Sequence, residues 1–148
     1  MRLATLLALS AVLSVAVQAQ PRTGAAAQHT LSISGEAVSV DLRAGGGDRN
    51  AVPGSGCSGY INEGQPSAKV TVSGDGPLAI YAVSGSDTTL LVSDPAGRWH
   101  CSDDASGSNP AVTFARAAPG TYTVWVGTFS PNAAAPATLS AVRGQPAW

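Results

Sequence analysis

Short runs of β-branched, aliphatic and aromatic residues recur along most of this chain, and turn-forming residues separate them. Val38, Val40 and Leu42 alternate with polar residues, which is the period of two that a half-buried strand shows. Turn sequences such as residues 73–77 and 94–97 follow such runs, because Pro presets φ and Gly tolerates positive φ. The runs lie about ten residues apart without a helical period, which predicts an all-β antiparallel sandwich or barrel.

About eight strands are expected in one domain, residues 30–148, since this length suits a single core. The predicted strands are 38–43, 70–72, 78–82, 88–93, 98–101, 111–115, 121–128 and 137–142. The stretch 44–59 holds six glycines and one proline and is predicted to be a loop.

The N-terminal residues indicate secretion. Met1 and Arg2 give a positive start, residues 3–17 are almost wholly apolar, and residues 17–19 fit a small-x-small cleavage site. This apolar run is shorter than the approximately 20 residues of a membrane span, although an uncleaved anchor is the alternative. We therefore predict a signal peptide at 1–19, a flexible lead-in at 20–29, and a secreted or periplasmic protein without a membrane segment after cleavage.

The charge of the chain is weak and mixed. After Arg2 is removed with the signal peptide, seven basic and nine acidic residues leave a net charge of −2. A basic patch for nucleic acid or an anionic membrane is not expected from such a balance.

Two cysteines, Cys57 and Cys101, are present. In an oxidising compartment such a pair indicates a disulfide, here between the long loop and a strand. Free or metal-binding thiols are the alternative, but no further ligands stand at zinc-like spacing.

The loop after residue 101 carries oxygen donors that suit a hard cation. Asp103, Asp104 and Asn109 lie on this Gly-containing loop, and Asp94 precedes them by one turn in sequence. Ca²⁺ takes several oxygen ligands from flexible loops, so these four residues are a candidate calcium site. The alternative is that Asp and Asn cap turns through side-chain to backbone hydrogen bonds.

Aromatic residues offer a candidate ligand surface. Trp99 and Trp125, with Tyr60 and Tyr122, would present flat rings to a sugar if their faces were exposed. Large aromatic residues on alternating strands also form cores, so packing is the alternative for these rings.

Catalysis is not expected from the inventory of reactive residues. The chain has two histidines, His29 and His100, and it lacks both the HExxH and the GxSxG pattern. A Ser–His–Asp triad needs a histidine oriented by a buried acid beside an oxyanion hole, and no motif marks one. A small secreted hydrolase that uses His100 and a nearby Asp is the alternative.

Several motifs between residues 55 and 142 resemble those of the bacterial pre-peptidase C-terminal domain family. The motifs are CSGYI at 57–61, PLAIY at 77–81, DTTL at 87–90, DPxGxWxCxDD at 94–104, GxNP at 107–110 and GxYxVWVGT at 120–128. The resemblance implies a jelly-roll-like β-sandwich that accompanies secreted proteases. Relatives include the collagen-binding modules of clostridial collagenases, some of which bind calcium.

These observations together predict a secreted, non-catalytic binding or stabilising module, with calcium as its candidate cofactor. The expected partner is an extracellular protein or a polysaccharide. A glycan-binding module that uses exposed aromatic rings is a further alternative.

Overall fold

The computed structural model describes residues 20–35, 37–47, 49–50 and 56–148, with the backbone alone at 49–50. These residues form eleven strands, and none of them belongs to a helix, so no described helix could cross a bilayer. The predicted signal peptide at 1–19 lies outside the described residues. In chain order the strands are β1 (His29–Ile33), β2 (Val38–Gly45), β3 (Arg49–Asn50), β4 (Tyr60–Ile61), β5 (Ala68–Val72), β6 (Gly76–Ser84), β7 (Thr88–Ser93), β8 (Trp99–Ser102), β9 (Ala111–Ala117), β10 (Gly120–Thr128) and β11 (Ala134–Val142).

The strands make two sheets that face each other, so the predicted all-β sandwich is confirmed. The first sheet has seven strands around β10, which pairs with β5 and β4 along one side and with β7 along the other. β8 continues this sheet beyond β7. The second sheet has four strands in the order β2-β11-β6-β9.

One strand pair departs from the predicted antiparallel arrangement. β1 runs parallel to β5, with His29 opposite Ala68 and Ile33 opposite Val72. The described residues before β1, predicted as a flexible lead-in, also contact the domain. The Arg22 N–H donates to the Glu63 carbonyl at 2.9 Å, and the Gln28 N–H donates to the Pro66 carbonyl at 3.0 Å.

The main core lies between the two sheets and follows from the alternation of each strand. In β10, Tyr122, Val124 and Val126 point into the core, where Leu139 and Ile80 of the second sheet are also buried. Burying a side chain of this size stabilises the fold by about 1.5–3 kcal/mol. The spacing of two in the sequence therefore determines which face of each strand is inside.

The predicted loop at 44–59 is partly strand. Ala44 and Gly45 extend β2 by pairing with β11, and β3 pairs with β4. Gly45 has a φ of 80°, and a Cβ there would lie 2.4 Å from the Ala133 carbonyl oxygen. The glycine in this segment is thus required by a close backbone approach. Residues 48 and 51–55 lie outside the described part of the chain.

The outer face of each sheet carries a small apolar cluster of its own. On the second sheet, the ring of Tyr81 packs edge-to-face on Trp148 with the ring centroids 5.3 Å apart. The Tyr81 hydroxyl donates to the Ala147 carbonyl at 3.2 Å, so the last residues of the chain lie across this face. The cluster on the first sheet is next to the disulfide.

Candidate functional site

The predicted disulfide between Cys57 and Cys101 is confirmed, with Cα atoms 5.7 Å apart. Cys101 stands on β8 opposite Leu91 of β7, and Leu91 in turn pairs with Trp125 of β10. The bridge thus fastens the segment before β4 to the outer face of the first sheet. Beneath it, Ile61, Leu91 and Trp125 form a buried cluster.

The two tryptophans predicted as ligand-binding residues lie side by side in this cluster. The ring centroids of Trp99 and Trp125 are 5.7 Å apart, and the ring planes are tilted by 47°. Trp125 is 1% exposed, so its ring has no free face for a sugar and acts as a packing group. Trp99 is half-buried, and any glycan contact at this place therefore depends on Trp99.

Asp94 is the most fully bonded acidic residue of the predicted site. It begins the turn between β7 and β8, and its Oδ1 accepts hydrogen bonds from the N–H groups of Ala96 at 2.9 Å and Arg98 at 3.0 Å. Its Oδ2 accepts from Arg98 Nε at 2.8 Å and lies 3.0 Å from His100 Nε2. The side chain is only 2% exposed, so these partners replace water around the carboxylate.

The charge state of Asp94 follows from two opposing effects. Burial raises the pKa of the carboxyl, but the hydrogen bonds from His100, Arg98 and Ala96 outweigh burial and lower the pKa from 3.8 to about 2. Asp94 is therefore an anion at neutral pH, compensated by the guanidinium of Arg98.

Three aromatic rings connect Asp94 to the core through edge-to-face contacts, beginning with its partner His100. His100 packs edge-to-face on Phe114 with the centroids 4.8 Å apart, and Phe114 packs likewise on Tyr122 at 5.3 Å. The Tyr122 hydroxyl donates to the Ala118 carbonyl at 2.9 Å, across the corner between β9 and β10. Burial, and next the negative charge of Asp94, raise the pKa of Tyr122. His100 is thus part of a packed network that ties the β7–β8 turn to the core.

The sequence predicts this network only in part. Asp94 was predicted as a calcium ligand or a turn cap, and the structure shows it capping the turn. The contribution of Arg98 was missed. The Asp-Pro-x-Gly turn could have indicated it, because such a turn brings a basic residue four positions after the Asp within hydrogen-bond distance of the Asp carboxylate.

The other predicted calcium ligands do not surround Asp94. In the β7–β8 hairpin, Ser93 pairs with Trp99 and Leu90 pairs with Ser102, so Asp94 and Asp103 lie beyond opposite ends of β8. Asp103 accepts hydrogen bonds from the Ser58 hydroxyl and the Asp104 N–H, both at 3.1 Å.

Asn109 uses its side-chain oxygen elsewhere, accepting from the Ser84 N–H at 2.9 Å. Its backbone pairs with Ser106 in a tight turn. Among the described residues, no group of three or more His, Cys, Asp or Glu side chains is placed to hold a metal ion.

The calcium site at Asp103 and Asp104 stays a prediction, which thermal unfolding can test. Calcium that binds the folded state at a hundredfold excess over its dissociation constant adds about 2.7 kcal/mol, or several degrees in the unfolding temperature. The prediction expects this rise with millimolar Ca²⁺, its reversal by chelator, and its loss in Asp104→Ala. The same unfolding temperature in calcium and in chelator would contradict the calcium site and leave Asp103 as a turn cap.

No protein-family model matches the chain, and no curated protein matches it. The solved structures that are similar to it include the following two. The pre-peptidase C-terminal domain of a collagenase from Bacillus anthracis is 17% identical, with a TM-score of 0.50, over 76% of this chain and 93% of that one. A periplasmic inhibitor of g-type lysozyme, PliG from Aeromonas hydrophila, is 12% identical, with a TM-score of 0.47, over 80% of this chain and 98% of that one. The first similarity shows that this chain shares the sandwich fold of a pre-peptidase C-terminal domain, as the motifs implied.

Proposed function

We propose that this chain is a secreted, non-catalytic module that binds an extracellular protein through the end of the sandwich at the β10–β11 loop. Secretion is supported by the signal-peptide pattern at residues 1–19 and by the disulfide, which persists in oxidising compartments.

The absence of catalysis is supported by the way His100 is used. Among the described residues, its hydrogen bond goes to Asp94, and its ring is packed on Phe114. An Asp–His pair of this kind also orients the general base of a hydrolase, but there the other ring nitrogen reaches a nucleophile or a water; within the described residues His100 has no hydrogen bond to a serine, threonine or cysteine side chain. The rival hydrolase would need a nucleophile or a water at the ring nitrogen of His100 that does not contact Asp94.

The binding surface is supported mainly by Phe129, the most exposed large hydrophobic side chain of the described residues at 56%. Three hydrogen bonds fix the loop that carries Phe129. The Phe129 N–H donates to the Asp87 carbonyl at 3.2 Å, and the Asn132 N–H donates to the Gly47 carbonyl at 3.0 Å. The Thr128 hydroxyl donates to the Ser130 carbonyl at 2.9 Å.

An aromatic ring presented on a fixed loop loses little conformational entropy on binding, and such rings are common anchors of protein interfaces. The fold it shares with a domain of a collagenase supports a protein as the partner. Fibrillar collagen is therefore the first probe, and an insoluble cell-wall polysaccharide tests the glycan alternative.

One sedimentation experiment measures binding and hydrolysis together. The secreted chain is incubated with collagen fibrils, bound protein is quantified in the pellet, and released peptides are quantified in the supernatant. We expect binding without peptide release, and a loss of binding of about tenfold in Phe129→Ser, the size of effect that removing one aromatic anchor has.

Val83→Ser is the matched control, because Val83 is also an exposed hydrophobic residue, at 39%, but lies on the second sheet. Its binding should equal that of the original chain. Peptide release that disappears in a folded His100→Ala variant would overturn the non-catalytic proposal. Sedimentation with the polysaccharide and not with collagen, abolished in Trp99→Ala, would favour the glycan alternative.

A further inference from the structure

Within the part of the chain that the structure describes, the free edge of β2 is the longest unpaired strand edge. Among the described strands, β2 pairs with β11 alone, over eight residues from Val38 to Gly45. Within the described residues, no backbone hydrogen bond reaches its other side from a turn or loop. Such a row of free N–H and carbonyl groups is a template for a further strand.

The opposite edge of the same sheet is better covered. β9 packs beside β8, and the Ala111 N–H donates to the Ser102 hydroxyl at 3.1 Å. The edge at β1 is shorter, with five residues. A pairing partner is therefore best accommodated at β2.

The charges of β2 are complementary to those of a second β2. Asp41 and Arg43 are exposed on the outer face of the sheet, and the buried Leu42 between them points into the core. Two antiparallel copies of β2 in one sheet are related by a two-fold axis perpendicular to the sheet. The axis passes between one residue of the first copy and the same residue of the second, so each possible register is defined by that central residue. Centring on Leu42 places Asp41 of each copy opposite Arg43 of the other.

The neighbouring registers lack this match. Centring on Asp41 sets two carboxylates against each other, and centring on Arg43 sets two guanidinium groups against each other. Centring on Val40 places Asp41 opposite Ser39 and leaves Arg43 without an acidic partner. Opposite charges directly across a strand pair stabilise it, and like charges destabilise it.

An open groove runs along part of β2. The groove has a volume of about 670 Å³ and is lined by residues 41–46 and Ala134, together with Gln28, His29 and Asn62. The groove thus follows the same residues that carry the complementary charges.

We propose that two copies of this chain associate through β2, antiparallel and centred on Leu42, so that the two four-stranded sheets become one continuous sheet of twice that width. The partner recognised by this edge is a second copy of the chain. The proposal does not depend on the binding surface at Phe129.

Sedimentation equilibrium of the secreted chain, from low-micromolar to near-millimolar concentration, tests the proposal. The average mass should rise with concentration towards twice that of the monomer. Asp41→Arg gives each copy two positive residues and Arg43→Asp gives each copy two negative ones, so each variant alone should lose about tenfold or more in association constant.

Mixing the two variants in equal amounts should restore association, because every cross-strand charge pair is then opposite again. The double variant Asp41→Arg/Arg43→Asp should also associate like the original chain. Arg116→Asp is the matched control, since it makes the same change of charge at an exposed residue on the far edge of the same sheet.

A chain that stays monomeric at the highest concentration would overturn the proposal. A dimer that the single variants do not weaken, or that their mixture does not restore, would overturn it as well. Thermal unfolding of each variant at low concentration shows whether the monomer itself remains folded.

Discussion

Replacing Cys57 and Cys101 together with Ser is expected to lower the free energy of unfolding by about 4 kcal/mol. The bridge joins residues 44 positions apart, and closing a loop of this length removes conformational entropy from the unfolded chain. The unfolding temperature should fall by about 10 °C or more for a domain of this size. Differential scanning calorimetry of the oxidised chain and the double variant measures the change.

A local effect should accompany the loss of the bridge. The segment at Cys57 packs on the cluster that contains Trp125 and Trp99, so its release should expose indole surface. Tryptophan emission should shift to longer wavelength before the main unfolding transition.

The control for these effects is a reducing agent, which should reproduce them in the original chain and change nothing in the double variant. Equal unfolding temperatures for the oxidised and reduced chains would contradict the prediction.

Much of the sandwich could be predicted from local pattern. The alternation of Val38, Val40 and Leu42 with polar residues indicated β2, because one face of this strand is buried and the other is exposed. The disulfide could be predicted from the number of cysteines and the expected compartment. Both inferences need only the sequence near each residue or a count of one residue type.

Features that depend on distant neighbours could not be predicted in the same way. β4 contains two residues, and it is a strand because Tyr60 pairs with Thr128. β1 is parallel to β5, and no turn sequence between adjacent strands marks such a pair. The register of β10 against β7 likewise decides that Trp125 lies under the disulfide.

In the candidate site, too, local features could be predicted from the sequence and features that depend on strand pairing could not. Asp94 was correctly placed in a turn, but its separation from Asp103 by the length of β8 follows from the pairing of β7 with β8. The four candidate ligands are close in sequence, but an extended strand separates its two ends by about 3.4 Å per residue. Sequence proximity therefore overestimated how many oxygen donors meet in one place.

The network at Asp94 predicts a specific loss of stability in acid. The pKa of Asp94 is about 2 in the folded chain and 3.8 for an unperturbed carboxyl, so the folded state binds this proton more weakly than the unfolded state. The resulting stabilisation, about 2 kcal/mol, is complete above about pH 5 and is lost as the pH falls towards 2. Urea unfolding at several pH values between 7 and 2 measures this dependence.

Replacing Asp94 separates this effect from general acid unfolding. Asp94→Ala leaves His100 and the turn N–H groups without their acceptor and should cost about 1–3 kcal/mol at neutral pH, because the side chain of Arg98 is 74% exposed and its charge is not left buried. Asp94→Asn keeps the shape of the side chain and removes its charge, so the slope of stability between pH 5 and 2 should flatten. Asp75→Asn, on an exposed turn, removes one charge and should keep that slope. An Asp94→Asn variant with the original pH dependence would show that the buried carboxylate does not stabilise the turn through its charge.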